Sequence, residues 1–348
     1  MSSNLPDRAA SRLAWTREAL ADPGVTLEPA SADASFRSYW RTRHAGQSWI
    51  VMDSPPALED PAPWLDIGAR LAAAGLHVPA VRAQDLHQGF LLIEDLGSKL
   101  YLPALTDATV DTLYADALQA LLRMQRDVDT GGMQHYSRDF LQRELELMPE
   151  WFLRRHLGCT PNCGEWDVLE AGFTVLLHNA LAQPQGFVHR DYHSRNLLIV
   201  DGDQPQNIAI RQPTPGIIDY QGALIGPITY DLASLLRDCY VAWDRGRVEA
   251  WADGYRRRLQ AAQLIDAAVD RGQFLRWFDL TGLQRHIKVL GLFCRLCYRD
   301  AKPGYLDDLP LVYGYVIDVA GRYPELAAFA ALLQRCAGSR DLRQVTTA

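Results

Sequence analysis

The chain has 348 residues, of which 48% are hydrophobic and 22% are charged, so it can bury the core of one large or two ordinary domains. Its formal net charge is -7, whereas proteins that bind nucleic acid more often carry a basic excess, so nucleic acid is not an expected partner. The amino-terminal segment MSSNLPDRAASRLAW lacks the pattern of a signal peptide, and no run of about 18 apolar residues could cross a membrane. We therefore expect a cytoplasmic protein without a membrane partner.

The first part of the chain alternates short β-like runs with two amphipathic helices. Helices are expected over 7–20 and 62–74, where Gly75 would end the second. The expected strands are 25–29, 38–42, 48–52, 81–85 and 90–95. This order predicts a small sheet-based lobe over residues 1–97.

Beyond Gly97 the pattern is mainly helical. Helices are expected over 107–127, 138–156, 165–182, 229–243, 245–262 and 271–300. Short strands interrupt them near 187–188, 197–200 and 216–218. The fold class is therefore predicted as α+β and bilobal, like a protein kinase, with a larger helical lobe over 98–348 and the chemistry between the lobes.

Three polar residues in the segment 188–231 predict the chemistry. Asp191 lies in the sequence VHRDYHSRN, Asn196 follows five positions later, and Asp219 closes the apolar run GIID. A kinase needs one carboxylate at the acceptor hydroxyl, and an amide and a second carboxylate at magnesium. We therefore predict Asp191 as the catalytic base and Asn196 and Asp219 as magnesium ligands, with ATP as the phosphoryl donor.

Four neighbours of these residues are expected to support them. His189 and Arg190 would brace the loop that carries Asp191, while His193 could approach substrate or phosphate. Asp231, in YDLASLL, has the position of an acid at a helix amino terminus and is expected to hold the catalytic loop from below.

The nucleotide is expected to contact two stretches of the first lobe. The small residues of ASADASFR would let backbone N–H groups approach phosphates, and the candidates there are Ser31, Ala34, Ser35, Phe36 and Arg37. The strand LLIEDLG would become the hinge whose backbone pairs with adenine, through Glu94, Asp95 and Leu96. The alternatives are that the first stretch is only a small-residue hairpin and that the second is a plain edge strand.

The third strand lacks the lysine with which kinases hold the nucleotide phosphates. It reads WIVMD, so Met52 or Asp53 falls where that lysine would be, and neither can donate a charge-assisted hydrogen bond. Arg37, Arg41 or Arg43 could compensate, or the phosphates could depend on backbone and magnesium.

These motifs resemble the aminoglycoside phosphotransferase and choline kinase group. The longer segments ASFRSYWR, LLIEDLG, HRDYHSRN, IDYQGALIGPITYDLASLLRDCY and LQRHIKVLGLFCRL are similar to the bacterial anomeric kinases of N-acetylmuramic acid and N-acetylglucosamine. That resemblance implies ATP-dependent phosphorylation of the anomeric hydroxyl in cytoplasmic cell-wall recycling. The product would feed UDP-sugar synthesis and bypass the step that fosfomycin blocks.

Substrate recognition is less determined by the sequence. Arg285, Lys288 and Arg299 lie on one expected helix and could pair with the lactyl carboxylate of muramic acid, although a solvated basic face explains them as well. The amino sugar is the expected partner, and the protein is expected to be a monomer. An aminoglycoside kinase and a nucleotide-binding pseudokinase are the competing hypotheses.

Two further features carry structural expectations. The six cysteines, including the close pairs Cys159/Cys163 and Cys294/Cys297, are expected to be reduced thiols, with zinc binding as the less favoured alternative. The long connection over 201–215 is expected to form an extended surface hairpin.

Overall fold

The computed structural model describes residues 5–32, 36–200 and 215–345. The chain falls into two compact units, one formed by Met1–Met124 with Arg195–Gly222 and the other by Gln125–Ser194 with Ala223–Ala348. The expected surface hairpin lies almost entirely outside the described residues. The predicted lobe boundary at residue 97 stays a prediction.

The strands of the described residues lie in three antiparallel sheets. They are β1 (Glu28–Ala32), β2 (Ser38–His44), β3 (Gln47–Asp53), β4 (Val81–Asp85), β5 (Phe90–Glu94), β6 (Gln185–Val188), β7 (Leu197–Leu198), β8 (Gly216–Ile217) and β9 (Leu224–Pro227). The main sheet of the first unit has the order β1-β2-β3-β5-β4, and β7 pairs with β8 in the same unit. In the second unit β6 pairs with β9.

Helices make up most of the remaining chain. They are α1 (Leu5–Leu20), α2 (Ala62–Ala73), α3 (Tyr101–Ala104), α4 (Val110–Asp127), α5 (Arg138–Leu145), α6 (Cys163–Ala182), α7 (Tyr230–Leu236), α8 (Arg245–Ala261), α9 (Arg271–Tyr298), α10 (Leu309–Ala320) and α11 (Ala327–Ala337). A π-helix covers Met148–His156, and 3₁₀-helices cover Pro303–Asp308 and Pro324–Leu326. The expected small sheet followed by a mainly helical remainder is thus confirmed.

Helix α1 packs on one face of the main sheet. On the apolar side of this helix, Leu20 packs in one core cluster with Val51 and Leu92 of the strands. Burial of this apolar surface stabilises the contact. The guanidinium group of Arg12 stacks 3.8 Å from the ring centre of Trp40 on β2. The two strand residues Trp40 and Val51 are directly opposite in the ladder, so they present their side chains to the same helix.

A short backbone ladder fixes the segment 195–222 to the first unit. Leu197 pairs with Ile217, and the N–H of Ile217 donates to the carbonyl oxygen of His77 at 2.8 Å. Gly216 allows this approach because a Cβ at that position would lie 2.8 Å from Val200 and 3.0 Å from Leu96. The ladder therefore determines where the polar residues beside it project.

Helix α9 forms the centre of the second unit. Asp270 caps it by accepting a hydrogen bond from the N–H of Gln273 at 2.8 Å. Gly291 passes the backbone at Leu147 so closely that a Cβ would lie 2.3 Å from its carbonyl carbon. Because α9 is enclosed by other helices, even several of its charged residues are buried.

Some helix boundaries differ from the sequence expectations. The helix expected over 138–156 is divided into α5 and the π-helix, whose second position is Pro149, a residue that cannot donate a backbone hydrogen bond. The helix expected over 229–243 ends at Leu236, because Arg237 leaves the helical conformation. Asp238 then accepts the N–H groups of Ser194 and Tyr240, an arrangement that an uninterrupted helix would not allow.

The expectation of six reduced thiols was wrong for two of them. Cys159 and Cys336 form a disulfide that joins the end of the π-helix to α11. The other four cysteines are free thiols, and Cys239, Cys294 and Cys297 are buried. Within the described ranges, no helix is long and apolar enough to span a membrane.

Candidate active site

Asn196 and Asp219 meet in the first unit because the strands beside them are paired. The N–H of Ile218 donates to the carbonyl oxygen of Asn196 at 3.1 Å. The amide nitrogen of the Asn196 side chain is 3.2 Å from one carboxylate oxygen of Asp219, and Gln221 donates to the other at 2.8 Å. Asp219 has a φ of 64°, a conformation that non-glycine residues seldom adopt. The backbone is thus held in an unfavourable conformation at the carboxylate predicted to bind metal.

The chemistry of this pair fits magnesium. Magnesium prefers hard oxygen ligands, and it usually takes only one or two from protein side chains because water and phosphate supply the rest. Asn196 and Asp219 offer an amide and a carboxylate in direct contact. Elsewhere in the described chain, no group of three or more His, Cys, Asp or Glu residues could hold a metal ion, so a zinc-type cluster is not seen there.

Arg37 lies beside the same carboxylate. Its side chain is 3% exposed, and one guanidinium nitrogen is 3.5 Å from Asp219, while another is 3.2 Å from Glu59. This buried cation therefore neutralises two acids at once. Glu59 was not predicted from the sequence, since no pattern distinguishes it from the other two acids of the segment DSPPALEDP.

Two of the other predicted phosphate-loop residues, Ser31 and Phe36, belong to the described chain. Ser31 belongs to β1, where its backbone pairs with Tyr39, so the strand extends further into the stretch than expected. Phe36 is 66% exposed and directly precedes Arg37. Ala34 and Ser35 lie outside the described residues.

The predicted hinge is well ordered by side-chain contacts. Asp95 accepts hydrogen bonds from Arg41 at 2.6 Å, from the hydroxyl of Ser48 at 2.5 Å and from the N–H of Gly97 at 2.9 Å. Burial alone would raise the pKa of Asp95, but these donors outweigh it and lower the pKa.

The other two hinge residues are placed by different interactions. Glu94 has a carboxylate oxygen 3.2 Å from the ring of His77, and Leu96 is buried. The backbone of Glu94 donates to Ala80, and β5 pairs with β3 and β4, so the strand is central and not a plain edge strand.

In the second unit, Asp231 holds the loop that carries Asp191. Its carboxylate accepts the N–H of His189 at 2.7 Å and the N–H of Arg190 at 3.0 Å. Arg190 has a φ of 77°, so this loop also contains an unfavourable backbone conformation. Burial raises the pKa of Asp231 to about 7, although the two N–H donors act in the opposite direction.

Positive charge surrounds Asp191. Burial alone would raise the pKa of Asp191, but the surrounding basic residues outweigh it and hold the pKa below its usual range. In order of their effect on Asp191, the basic neighbours are Lys288, His193, Arg190 and Arg285. Asp191 is therefore ionised near neutral pH, which is the state that a proton acceptor needs.

Two of these cations share a buried carboxylate. Lys288 is 3.0 Å from Glu144, and Arg190 is 2.6 Å from the same oxygen. The hydroxyl of Tyr136 also donates to Glu144. Burial alone would raise the pKa of Glu144, but Lys288 and Arg190 outweigh it and lower the pKa. Glu144 was missed by the sequence analysis, although it is an acid on the otherwise apolar buried side of α5.

The three predicted substrate cations occupy different environments. Arg285 and Lys288 are buried on α9, and Arg285 donates to the sulfur of Cys239 at 3.2 Å. Arg299 is exposed just after α9 and pairs with the neighbouring Asp300 at 2.8 Å. The structure therefore brings Arg285 and Lys288, but not Arg299, into the charged cluster around Asp191.

The sequence belongs to the phosphotransferase enzyme family, whose family model matches residues 26–275. Two curated relatives, both called N-acetylmuramate/N-acetylglucosamine kinase, match almost the whole chain. The protein from Pseudomonas putida is 42% identical over 319 residues, which is 91% of each chain. The protein from Neisseria meningitidis serogroup B is 35% identical over 334 residues, covering 94% of this chain and 96% of the relative.

Solved structures with the same fold are much more distant in sequence. The aminoglycoside phosphotransferase APH(2'')-Ib, bound to ADP, has a TM-score of 0.58 and 13% identity, and the match covers 87% of this chain and 96% of that one. An ethanolamine kinase from Plasmodium vivax has a TM-score of 0.60 and 10% identity, with coverage of 87% and 86%. The predicted family, the kinase-like fold and the assignment as an enzyme are confirmed.

Proposed function

We propose that this enzyme uses MgATP to phosphorylate the anomeric hydroxyl of N-acetylmuramic acid and N-acetylglucosamine. The observation that carries the proposal is the 42% identity, over 91% of both chains, to a protein called N-acetylmuramate/N-acetylglucosamine kinase. The geometry supports it, because Asn196 and Asp219 are in contact and Asp191 is kept ionised.

The nucleotide would bind through residues of the first unit. We propose that the backbone of Glu94, Asp95 and Leu96 pairs with adenine, and that residues 1–97 form a nucleotide-binding lobe. The stretch from Ser31 through Arg37 would approach the phosphates. Asn196 and Asp219 would hold magnesium, which neutralises charge on the nucleotide phosphates when it is bound.

Asp191 would act as the proton acceptor. The anomeric oxygen of the sugar attacks the γ-phosphorus, and the bond from that phosphorus to the β-γ bridging oxygen breaks. ADP leaves with the electron pair of that bond, and the hydroxyl proton passes to the carboxylate of Asp191. Since an anomeric hydroxyl is more acidic than other sugar hydroxyls, a single carboxylate suffices as the base.

The support for Asp191 comes from the second unit. Its carboxylate is surrounded by cations, and its loop is fixed by the two hydrogen bonds that Asp231 accepts. A base that is ionised and rigidly held loses little free energy to reorganisation in the transition state. As proposed from the sequence, His189 and Arg190 would brace this loop, and His193 would approach substrate or phosphate.

Arg285 and Lys288 remain our proposed substrate-reading cations, whereas Arg299, also proposed from the sequence, is exposed and pairs with Asp300. Lys288 is favoured among them because it has the largest electrostatic effect on Asp191 among the charged neighbours. The sugar 1-phosphate would then be consumed by a nucleotidyltransferase that makes the UDP-sugar. Such a reaction belongs to cytoplasmic cell-wall recycling and would bypass the step that fosfomycin inhibits.

Phosphorus NMR tests the proposal directly. The protein is incubated with MgATP and either N-acetylmuramic acid or N-acetylglucosamine, with kanamycin in a parallel sample. We expect a new phosphorus signal, coupled to the anomeric proton, with both sugars and no product with kanamycin. A product with kanamycin alone would replace the proposal by an aminoglycoside kinase, and transfer to no acceptor would indicate a pseudokinase.

A further inference from the structure

The register of the main sheet excludes the third strand as the source of a phosphate-binding cation. Directly opposite residues of antiparallel strands project to the same face. Asp53 is opposite Ser38, on the face that carries Trp40 and packs against α1, whereas Met52 is opposite Tyr39 and projects to the other face. Met52 has no charge, so the face away from α1 receives no cation from this position.

Asp53 is already neutralised by α1. Its two carboxylate oxygens are each 2.8 Å from a guanidinium nitrogen, one of Arg8 and one of Arg12. The side chain is only 4% exposed. This acid therefore anchors α1 to the sheet, and its contacts point away from the face that carries Met52.

A different cation reaches the carboxylate of Asp219. Arg37 directly precedes β2 and lies two residues before Tyr39, so it continues the row of side chains on the face of Met52. Its buried guanidinium group contacts Asp219 at 3.5 Å and Glu59 at 3.2 Å.

Glu59 is itself held at the end of β3. The hydroxyl of Ser54 donates to the carbonyl oxygen of Glu59 at 2.9 Å, and the N–H of Glu59 donates to Pro55 at 2.9 Å. These bonds fix the backbone of the acid just before α2. A carboxylate carried on a fixed backbone and paired with Arg37 limits the rotamers of that arginine, so less conformational entropy is lost when the arginine binds an anion.

We propose that Arg37 is the phosphate-binding cation of this enzyme and that Glu59 is its positioning residue. Together they replace the strand-three lysine and its paired glutamate in protein kinases. The inference rests on the proposed function, since it requires that nucleotide phosphates bind at Asp219. A guanidinium fork can bond phosphate and Glu59 with different N–H groups, which a single ammonium group does less well.

The two arginines of β2 are less suitable than Arg37 as the phosphate-binding cation. Arg41 is bound to Asp95 through two nitrogens, at 2.6 and 3.2 Å, and so belongs to the hinge. Arg43 is exposed near the end of the strand where β2 turns into β3. Arg37 alone among the three contacts a predicted magnesium ligand.

The experiment compares binding of adenosine, MgADP and MgATP by isothermal titration calorimetry. Adenosine reports contacts with the base, and the ratio of the MgATP affinity to the adenosine affinity reports contacts with the phosphates. For Arg37→Met we expect adenosine affinity within about twofold of wild type and a loss of about tenfold to a hundredfold in the ratio, the effect of one charge-assisted contact. Arg82→Met removes an exposed arginine from β4 and should leave the ratio unchanged.

A second pair of variants covers the case in which Arg37→Met fails to fold. Removal of Arg37 together with Glu59 leaves no uncompensated charge at Glu59, and the side chain of Asp219, the other acid that loses this cation, is 37% exposed, so Arg37→Met is repeated in a Glu59→Gln background. We expect Glu59→Gln to keep most of the ratio of MgATP affinity to adenosine affinity, and we expect the double variant to lose it. Equal ratios in these two proteins would overturn the inference, whereas a wild-type protein that binds none of the three ligands would overturn the proposed function itself.

Discussion

The ammonium nitrogen of Lys288 lies 3.0 Å from the carboxylate oxygen of Glu144 that also pairs with Arg190. One buried acid thus retains two cations in the environment of Asp191. Without Glu144, burial would favour loss of the Lys288 proton, because desolvation destabilises the charged ammonium group. The ionisation of the proposed base Asp191 therefore depends on Lys288, a residue of α9.

The first prediction concerns the pH dependence of Lys288→Met. Lys288 is the charged neighbour that most strongly lowers the pKa of Asp191, so its removal raises that pKa. Since the ionised carboxylate is the active form, the rate falls as pH decreases through the pKa, and a raised pKa moves this acidic limb to higher pH. The measurement is the pH profile of kcat/KM with N-acetylglucosamine. Because this sugar is neutral, a lost contact between Lys288 and a substrate carboxylate cannot affect the profile.

Arg276→Met is the matched control for that experiment. Arg276 lies on the same helix but pairs with Glu325 at the surface, so its removal should leave the profile in place. An unshifted acidic limb in Lys288→Met would contradict the role assigned to this lysine, even if the overall rate were lower.

A second prediction concerns Asp231→Asn. Asp231 is fully buried and accepts two backbone N–H groups, whereas an amide can offer only one oxygen and turns its own NH₂ toward the second donor. We expect the free energy of unfolding to fall by about 2 kcal/mol or more and kcat to fall with it, because the loop of Asp191 loses its anchor. Urea unfolding and steady-state kinetics measure the two effects.

The same chemical change at an exposed helix cap provides the comparison. Asp270→Asn retains an oxygen for the N–H of Gln273, and asparagine caps helices about as well as aspartate. Its stability should therefore stay close to that of wild type. If Asp231→Asn were no less stable than Asp270→Asn, the buried hydrogen bonds would not be the anchor described above.

Much of the fold could be predicted from local sequence. The amphipathic pattern of 7–20 corresponds to α1 (Leu5–Leu20), and Gly75, expected to end α2, has a φ of 74° that favours glycine. The expected strand 38–42 corresponds to β2. Periodicity succeeds for α1 because one face of this helix lies in the core and the opposite face is exposed.

Other features depend on partners that are distant in the chain. Glu144 becomes part of the site through Arg190 and Lys288, which are 46 and 144 positions further along, and no local pattern connects them. Similarly, Glu59 is distinguished from other surface acids only by its contact with Arg37. The sequence could name charged residues near the chemistry, but it could not show which acid neutralises which cation.

The disulfide illustrates the same limit. Cys159 and Cys336 are separated by 177 positions, and only the packing of α11 brings them together. The sequence drew attention to the close pairs Cys159/Cys163 and Cys294/Cys297, where neither pair forms a bond. Proximity in sequence was therefore a poor guide to proximity in space.

A third prediction concerns the anchor between α1 and the sheet. Asp53→Asn removes the charge that neutralises Arg12, a residue that is 9% exposed in its side chain. Leaving a buried arginine uncompensated should lower the free energy of unfolding by about 3 kcal/mol. Urea unfolding measures the effect, and Asp66→Asn, which breaks an exposed pair with Arg70 on α2, should cost no more than about 0.5 kcal/mol.

Nucleotide binding by the Asp53→Asn protein provides an independent check. Because Asp53 contacts α1 and lies on the opposite face from Met52, the ratio of MgATP to adenosine affinity should stay within about twofold of wild type. A selective loss of phosphate binding in a folded Asp53→Asn protein would place this residue at the nucleotide and contradict the assignment of the two sheet faces.

The last prediction concerns the proposed magnesium ligands. Asp219→Ala removes the carboxylate that contacts Asn196 and Arg37, so the pair can no longer offer a charged oxygen to a cation. We expect the affinity for ADP to lose its dependence on magnesium, with a loss of about tenfold to a hundredfold at saturating magnesium and little change when magnesium is chelated. Calorimetric titration of ADP over a series of magnesium concentrations measures this dependence.

Asp66→Ala is the control, because it removes an exposed acid from the same unit and should preserve the magnesium dependence of ADP binding. A magnesium dependence that is the same in Asp219→Ala and in wild type would remove Asp219 from the proposed metal site.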